Sequence, residues 1–121
     1  MKILIADDDR TTRLILRMLL NENYFDVIGE AADGAKAVEL WEKLRPDIVF
    51  MDIDMPKLNG HEATMRIRQQ SATTGIVIIS ALATAKNVKQ AIDSGANGFV
   101  VKPFNTTRVV EAIENCKKLV C

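Results

Sequence analysis

Several short apolar stretches of the chain end at a polar residue whose side chain can take part in metal or phosphoryl chemistry. The residues that follow these stretches are Asp7-Asp8-Asp9, Asp52, Ser80 and Lys102. Carboxylates are typical ligands of Mg²⁺, which also accepts phosphate oxygens and waters. A lysine ammonium and a serine hydroxyl can hold further phosphoryl oxygens, and an aspartate can form an acyl phosphate. Together, these side chains would make a site for a divalent metal and a phosphoryl group.

The apolar stretches are predicted β-strands, at residues 3–6, 27–31, 48–51, 76–79 and 99–101. Four are continuously apolar, as is typical of parallel strands that are covered on both faces, whereas the second is more mixed and suits an edge strand. Segments of helical periodicity alternate with the strands, which predicts a doubly wound α/β sheet with helices on both faces. Because the carboxyl ends of parallel strands share one edge, we expect the polar residues to be neighbours.

Each predicted helix carries apolar residues three and four positions apart, which indicates one buried face. These residues are Leu14, Met18 and Leu19; Ala37, Trp41 and Leu44; Ala63 and Ile67; Val88, Ala91 and Ile92; and Val109, Ile113, Cys116 and Val120. The chain of 121 residues contains no linker or change of composition. We therefore expect residues 1–121 to form one domain.

The composition excludes several classes of protein. The chain has 16 basic and 16 acidic residues and no net charge, which argues against direct binding of nucleic acid. No apolar run approaches the roughly 18 residues of a membrane span, and no signal peptide is recognisable. Cys116 and Cys121 lie too close together to form a disulfide framework, and a reduced cytoplasm is the expected compartment.

The order and spacing of the polar residues resemble those of a known family. Its motifs correspond here to Asp7-Asp8, Asp52 with Met55-Pro56 and Asn59-Gly60, Ser80-Ala81, and Lys102-Pro103-Phe104. The chain resembles, over essentially its whole length, the receiver domain of two-component response regulators, in particular the chemotaxis regulators. The resemblance implies a flavodoxin-like receiver fold with strand order 2-1-3-4-5. The second strand, which alone has no chemical residue at its tip, would then lie outside the first.

The resemblance also implies a role for each matching residue. Asp52 corresponds to the phosphoacceptor, and Asp7 and Asp8 to the acidic pair that binds Mg²⁺ with it. Asp54 would supply a backbone carbonyl to the metal, and its side chain would influence dephosphorylation. Ser80 would turn toward the phosphoryl group, and Lys102 would pair with that group. The peptide bond from Lys102 to Pro103 is usually cis in the family, and proline makes that isomer accessible.

Two positions depart from the commonest family pattern. Phe99 occupies the aromatic switch position, where tyrosine is frequent, so that a ring can still move inward but has no hydroxyl to bond. Leu82, two residues after Ser80, is apolar where many members are polar or acidic. Because Leu82 can screen the phosphoryl group from water, we predict slow self-dephosphorylation, although Asp54 can act in the opposite sense.

The function that the resemblance implies is a phosphorylation-controlled switch. Asp52 would take a phosphoryl group from a sensor histidine kinase or a histidine phosphotransfer protein, with Mg²⁺ or, as a substitute, Mn²⁺. The added charge would draw Ser80 and Lys102 inward, with Phe99 following. This would change the surface of the fourth helix, fifth strand and fifth helix, which binds a protein partner or output domain. The protein would catalyse only its own phosphorylation and dephosphorylation, and would contact neither nucleic acid nor membrane.

Two other functions remain open from the sequence. Asp52-Ile53-Asp54 also resembles the nucleophile motif of haloacid-dehalogenase-type phosphatases, but in that family the metal-binding acids follow the nucleophile, whereas Asp7-Asp8 precede it. A receiver-shaped docking module that is never phosphorylated is disfavoured because every chemical position is filled.

Other conspicuous residues have simpler interpretations. Asp9 is expected to cap the first helix, and Trp41 and Cys116 to belong to the core. His61, the single histidine, is expected to be solvated and not a metal ligand. Arg66 and Arg68, with nearby Lys57, are expected to form a solvated face, and Cys121 an exposed end.

Overall fold

The sheet has five parallel strands in the order β2-β1-β3-β4-β5. The computed structural model describes the backbone of residues 1–120 and the side chains of residues 1–117. The strands are β1 (Lys2–Ala6), β2 (Asp26–Ala31), β3 (Ile48–Asp52), β4 (Gly75–Ser80) and β5 (Gly98–Val101). The helices are α1 (Arg10–Glu22), α2 (Gly34–Leu44), α3 (Gly60–Gln70), α4 (Ala85–Ser94) and α5 (Thr106–Val120). The predicted fold class and strand order are confirmed.

Hydrophobic residues fill both sides of the sheet, because successive side chains of a strand point to opposite faces. Ile3 and Ile5 of β1 pack on one side, in a cluster that includes buried residues of α1 and α5. Leu4 and Ala6 pack on the other side, with residues of α2, α3 and α4. The central strands are buried from end to end, which explains why their sequences are continuously apolar.

Short polar side chains begin the helices that follow β1, β2, β3 and β4. Asp9 accepts hydrogen bonds from the main-chain N–H groups of Thr11 and Thr12, and is the N-cap of α1, as predicted. The N-caps of α2, α3 and α4 are Asp33, Asn59 and Thr84. These caps fix where the four helices start, at the same edge of the sheet as the polar strand ends.

The predicted buried face of α1 is wrong for Leu14 and Met18 and right for Leu19. Leu14 and Met18 are 56% and 54% exposed, whereas Leu16, Leu19 and Leu20 are buried. Six of the seven residues from 14 to 20 are apolar, so two different stripes match the helical spacing and periodicity alone does not separate them.

The other helix faces agree better with the expectation. Ala37, Trp41, Ala63, Ile67, Ala91, Val109, Ile113 and Cys116 are buried, and Leu44 and Val88 are half-buried. Ile92 of α4 is 66% exposed, contrary to the prediction. The Val120 side chain and Cys121 lie outside the described residues.

The single tryptophan is a core residue at the amino-terminal edge of the sheet, opposite the strand ends that carry the chemical residues. The indole N–H of Trp41 donates a hydrogen bond of 3.2 Å to Oγ1 of Thr74, which precedes β4. The Arg45 guanidinium lies 4.2 Å from the centre of the Trp41 ring. No described helix combines the length and the apolar character that crossing a bilayer requires.

Arg68 is not part of a solvated face, contrary to the prediction. Its Nε–H donates a hydrogen bond of 2.7 Å to the carbonyl of Gly95, at the end of α4. A second nitrogen, Nη2, donates to Oδ1 of Asn97, which also accepts the N–H of Ile76 at the start of β4. Arg68 therefore ties the end of α3 to α4 and β4.

Candidate functional site

The carboxyl ends of β1, β3, β4 and β5 bring the predicted site residues to one edge of the sheet. Ala6 pairs with Met51 in the register of β1 and β3, so the next residues, Asp7 and Asp52, are neighbours. Ser80, at the end of β4, pairs with Val101 of β5, and Lys102 follows. The parallel register thus gathers residues that are distant in the sequence.

Three carboxylates form an acidic cluster at this edge. Asp7, Asp8 and Asp52 each offer an oxygen, and these oxygens all lie within 4.8 Å of one another. Asp7 and Asp52 are buried, whereas Asp8 is exposed. One oxygen of Asp7, Oδ1, accepts the N–H of Asp9, and Oδ1 of Asp52 accepts the N–H of Ile53, both at 2.9 Å.

Lys102 is the cation that faces the cluster. Its Nζ lies 2.7 Å from Oδ2 of Asp7 and 3.5 Å from Oδ1 of Asp52. The main-chain N–H of Lys102 donates to the carbonyl of Ser80 at 2.8 Å, and the Lys102–Pro103 peptide bond is cis. The lysine arm thus reaches across the ends of β4 and β3 to the acidic residue after β1.

The environment raises the pKa of the Asp52 carboxyl to about 6. Burial is the largest cause, the neighbouring Asp7 charge adds to it, and Lys102 acts against both. For Lys102, burial favours the neutral amine, but the close contact with Asp7 and the charges of Asp7 and Asp52 prevail and raise the pKa. The site therefore stabilises a cation and resists an additional uncompensated anion.

The donor set fits a divalent cation with a preference for oxygen ligands. The buried Oδ2 of Asp7 is in contact with Lys102 Nζ, but no donor is aligned with it for a hydrogen bond. An incompletely satisfied carboxylate oxygen next to two further carboxylates is a suitable ligand for a hard cation. Among the described residues, Asp54 adds no side-chain oxygen to the cluster, but it lines the same cavity of about 280 Å³ as Asp8, Asp52, Ser80, Leu82 and Lys102.

The Ser80 hydroxyl is engaged in a local turn. Its Oγ accepts the N–H of Leu82 at 3.1 Å and lies 3.2 Å from the Leu82 carbonyl, to which it donates. The same carbonyl accepts a hydrogen bond from Nδ2 of Asn87 in α4. The Leu82 side chain is 64% exposed at the cavity. Ser80 must exchange its local hydrogen bond before it can donate to a ligand.

Phe99 does not line the cavity that contains the acidic cluster. It is half-buried against the hydrophobic cluster on the α2–α3–α4 side of the sheet. It also lines a separate cavity of about 210 Å³ with Val88 and Ile92 of α4. Its ring is thus positioned between β5 and α4, where an inward movement would change the packing of that helix.

His61 is half-buried, not solvated as predicted. Both of its ring nitrogens are buried and have no hydrogen-bond partner among the described residues. Burial lowers its pKa, and the charge of Asp54 opposes this effect. His61 is not among the residues of the acidic cluster.

Two residues support the site through contacts that the sequence alone did not reveal. A Cβ atom on Gly60 would lie 2.0 Å from the main-chain oxygen of Asp52, so the start of α3 can pack against β3 only with glycine there. Arg13 of α1 donates a hydrogen bond to the carbonyl of Asp7 and pairs with Glu30 of β2. The charged Glu30, next to the last residue of β2, was the available signal for Arg13.

Comparison with known proteins identifies the family. The model of the response regulator receiver domain matches residues 3–114. Chemotaxis protein CheY of Thermotoga maritima is 40% identical over 117 residues, covering 97% of this chain and 98% of the relative. Its namesake in Bacillus subtilis is 43% identical over 112 residues, which are 93% of each chain.

Solved structures agree with this result. The CheY chain in a CheX-CheY-BeF3-Mg complex from Borrelia burgdorferi has a TM-score of 0.88 and 32% identity, covering 93% of this chain and 85% of that one. Receiver domains generally bind Mg²⁺ at an acidic pocket and interact with kinases and output partners, and this chain has an acidic cluster of Asp7, Asp8 and Asp52. The chain belongs to the response regulator receiver domain family, the phosphoacceptor switches of two-component signalling.

Proposed function

We propose that Asp52 accepts the phosphoryl group, from a phosphohistidine of a sensor histidine kinase or a histidine phosphotransfer protein. The observation that carries this assignment is the position of the Asp52 carboxylate, buried between Asp7 and Lys102 at the end of the central strand β3. The similar CheY of Borrelia burgdorferi forms a complex with BeF3 and Mg²⁺, which supports an acidic site of this kind.

Asp7, Asp8 and Asp52 would hold Mg²⁺, or Mn²⁺ in its place, together with the backbone carbonyl of Asp54. The metal supplies positive charge that lets an anionic phosphoryl group approach a cluster of carboxylates. An oxygen of Asp52 forms a bond to phosphorus while the phosphorus–nitrogen bond of phosphohistidine breaks, and the imidazole nitrogen keeps the electron pair. The product is an acyl phosphate on Asp52.

Lys102 and Ser80 stabilise the phosphoryl oxygens. The Lys102 ammonium already lies 3.5 Å from Asp52, so it needs little displacement to contact a group attached there. The Ser80 hydroxyl exchanges its bond to the Leu82 carbonyl for one to a phosphoryl oxygen, and Asn87 still donates to that carbonyl. The loop between β4 and α4 therefore moves without leaving its carbonyl unpaired.

This loop connects the site to a protein-binding surface of α4, β5 and α5. Phe99 lies against α4, so movement of the loop and of the ring together would alter that surface. We propose this surface as the docking site of the output partner, in the cytoplasm. Residues 1–121 would act as one receiver domain that catalyses only its own phosphorylation and dephosphorylation, without contacting nucleic acid or membrane. The phosphatase alternative is not favoured, because the family match covers residues 3–114.

The test is incubation with Mg²⁺ and acetyl phosphate, followed by intact mass measurement. We expect a base-labile gain of one phosphoryl mass that disappears with chelator and in Asp52→Asn. Asp93→Asn is the matched control, since it removes an exposed carboxylate on α4 that does not line the cavity of the cluster and should still form the adduct. Mass is a better readout than the fluorescence of Trp41, which lies at the opposite edge of the sheet. No adduct under conditions in which a control receiver reacts would favour the docking module.

A further inference from the structure

The first turns of α1 place an arginine directly over the end of β1. Arg13 follows the N-cap by one turn, and its N–H donates to the carbonyl of Asp9 at 3.1 Å. Its guanidinium lies at the end of β1, where Nη1 donates a hydrogen bond of 2.7 Å to the carbonyl of Asp7. The side chain is only 16% exposed. This is a largely buried, charge-assisted hydrogen bond to the main chain of the acidic cluster.

The guanidinium of Arg13 is itself held by β2. Its Nε donates to Oε1 of Glu30 at 3.2 Å, while Arg17, one turn later in α1, contacts the other oxygen, Oε2, at 3.0 Å. Glu30 precedes Ala31, the last residue of β2. The carbonyl of Ala31 accepts a hydrogen bond of 3.0 Å from the N–H of Asp7. Asp7 is therefore fixed at its N–H by β2 and at its carbonyl by an arginine that β2 holds.

Fixing the carbonyl of Asp7 also fixes the position of Asp8. The peptide group that contains this carbonyl includes the nitrogen and the Cα atom of Asp8, and it is planar. A rotation of this plane would move the two carboxylates relative to each other. Three carboxylate oxygens within 4.8 Å repel one another, so without a restraint the exposed Asp8 can turn away.

We propose that Arg13, held by Glu30, is a positioning residue that orients Asp7 and Asp8 for metal binding. This inference rests on the proposed function of the acidic cluster as the Mg²⁺ site. It also gives β2, which has no chemical residue at its tip, a role in the site. Electrostatics alone predict the opposite effect, because a cation close to the cluster disfavours a bound cation. Glu30 is shared between Arg13 and Arg17 and offsets only part of their charge, but it holds the Arg13 guanidinium against the Asp7 carbonyl, and we expect this positioning to outweigh the remaining repulsion.

The test compares Mg²⁺ affinity in Arg13→Ala and Arg17→Ala, measured by following the amide resonances of Asp7 and Asp8 during titration with Mg²⁺. Both variants remove an arginine that pairs with Glu30, but only Arg13 contacts Asp7. We expect Arg13→Ala to weaken Mg²⁺ binding about tenfold, in the range typical of residues that orient metal ligands, and Arg17→Ala to change it less than about twofold. Arg13→Lys should restore part of the affinity, because lysine can donate to the same carbonyl.

Melting temperatures of the variants without Mg²⁺ show whether a loss of Mg²⁺ affinity is accompanied by a loss of fold stability. Equal losses of affinity in the two alanine variants, or tighter Mg²⁺ binding by Arg13→Ala, would overturn the inference. If Arg13→Ala does not fold, Arg13→Met decides instead: weaker Mg²⁺ binding than in Arg17→Met supports positioning, and unchanged or tighter binding refutes it. Absence of Mg²⁺ binding in the unaltered protein would instead refute the proposed function.

Discussion

Replacing Asp52 by asparagine should make the protein more stable, although it removes the proposed phosphoacceptor. Burial and the charge of Asp7 raise the pKa of Asp52 from 3.8 to about 6, in spite of Lys102. The ionised carboxylate is therefore less favourable in the folded protein than in the unfolded chain. The difference between these pKa values corresponds to at most about 3 kcal/mol, and we expect Asp52→Asn to stabilise the fold by roughly 1–3 kcal/mol at pH 7.5 without metal.

The stabilisation by Asp52→Asn should increase with pH. Between pH 3.8 and about 6 the folded protein keeps a proton on Asp52 that the unfolded chain has lost. The destabilisation by Asp52 is thus absent at lower pH, grows through this window and is complete above it. About half has developed at pH 5, so the gain from Asp52→Asn should be larger at pH 7.5 than at pH 5 by on the order of 1.4 kcal/mol.

Urea unfolding at both pH values measures the gain, with Asp93→Asn as a control because its side chain lies exposed on α4. We expect the control to change stability by less than about 0.5 kcal/mol at either pH. Addition of Mg²⁺ should stabilise the unaltered protein more than Asp52→Asn, which lacks a proposed ligand, and so reduce the difference. An Asp52→Asn variant that is no more stable at pH 7.5, or whose gain is the same at pH 5, would refute the reasoning.

Three further substitutions test other parts of the structure. Gly60→Ala should destabilise the fold by about 2 kcal/mol or more in urea unfolding, since its Cβ would lie 2.0 Å from a carbonyl oxygen of β3. Gly98→Ala is the control and should destabilise the fold clearly less, because the nearest atom to a Cβ at Gly98 is 3.5 Å away. Leu82→Asn should accelerate the decay of the phosphorylated protein severalfold, measured by intact mass over time, because the wild-type side chain screens the cavity from water; an equal decay rate would contradict this. Thr74→Val should cost about 1–3 kcal/mol by leaving the buried indole N–H of Trp41 unpaired, and an unchanged urea midpoint would show that the bond contributes little.

The sheet was predictable because its strands are buried on both faces. The predicted strand at residues 48–51 corresponds to Ile48–Asp52, and the mixed second strand lies at the edge. Continuous burial demands continuous apolar sequence, so both the strands and the polar residues that end them stand out. The strand order came from the family resemblance, because periodicity does not determine which strands are neighbours.

The buried faces of the helices were less predictable, because they depend on which side of each helix packs against the sheet. In α1 two apolar stripes compete, and the structure buries Leu16 and Leu20 while exposing Leu14. Arg68 of α3 was expected to be solvated, yet it donates hydrogen bonds to Gly95 and Asn97. Such contacts join residues more than 25 positions apart, and no local pattern in the sequence specifies them.

The charges of the site explain why Lys102 lies nearer to Asp7 than to the proposed acceptor. Three ionised carboxylates against one ammonium leave two negative charges, and the fully buried Asp7 has the weakest access to water. The lysine therefore contacts Asp7 at 2.7 Å and Asp52 at 3.5 Å. A divalent cation bound at the cluster would balance the two remaining charges, and Asp7 would no longer need the ammonium. We thus expect Lys102 to be available for the phosphoryl group only when the acidic cluster is otherwise neutralised, which makes metal binding and phosphorylation mutually dependent.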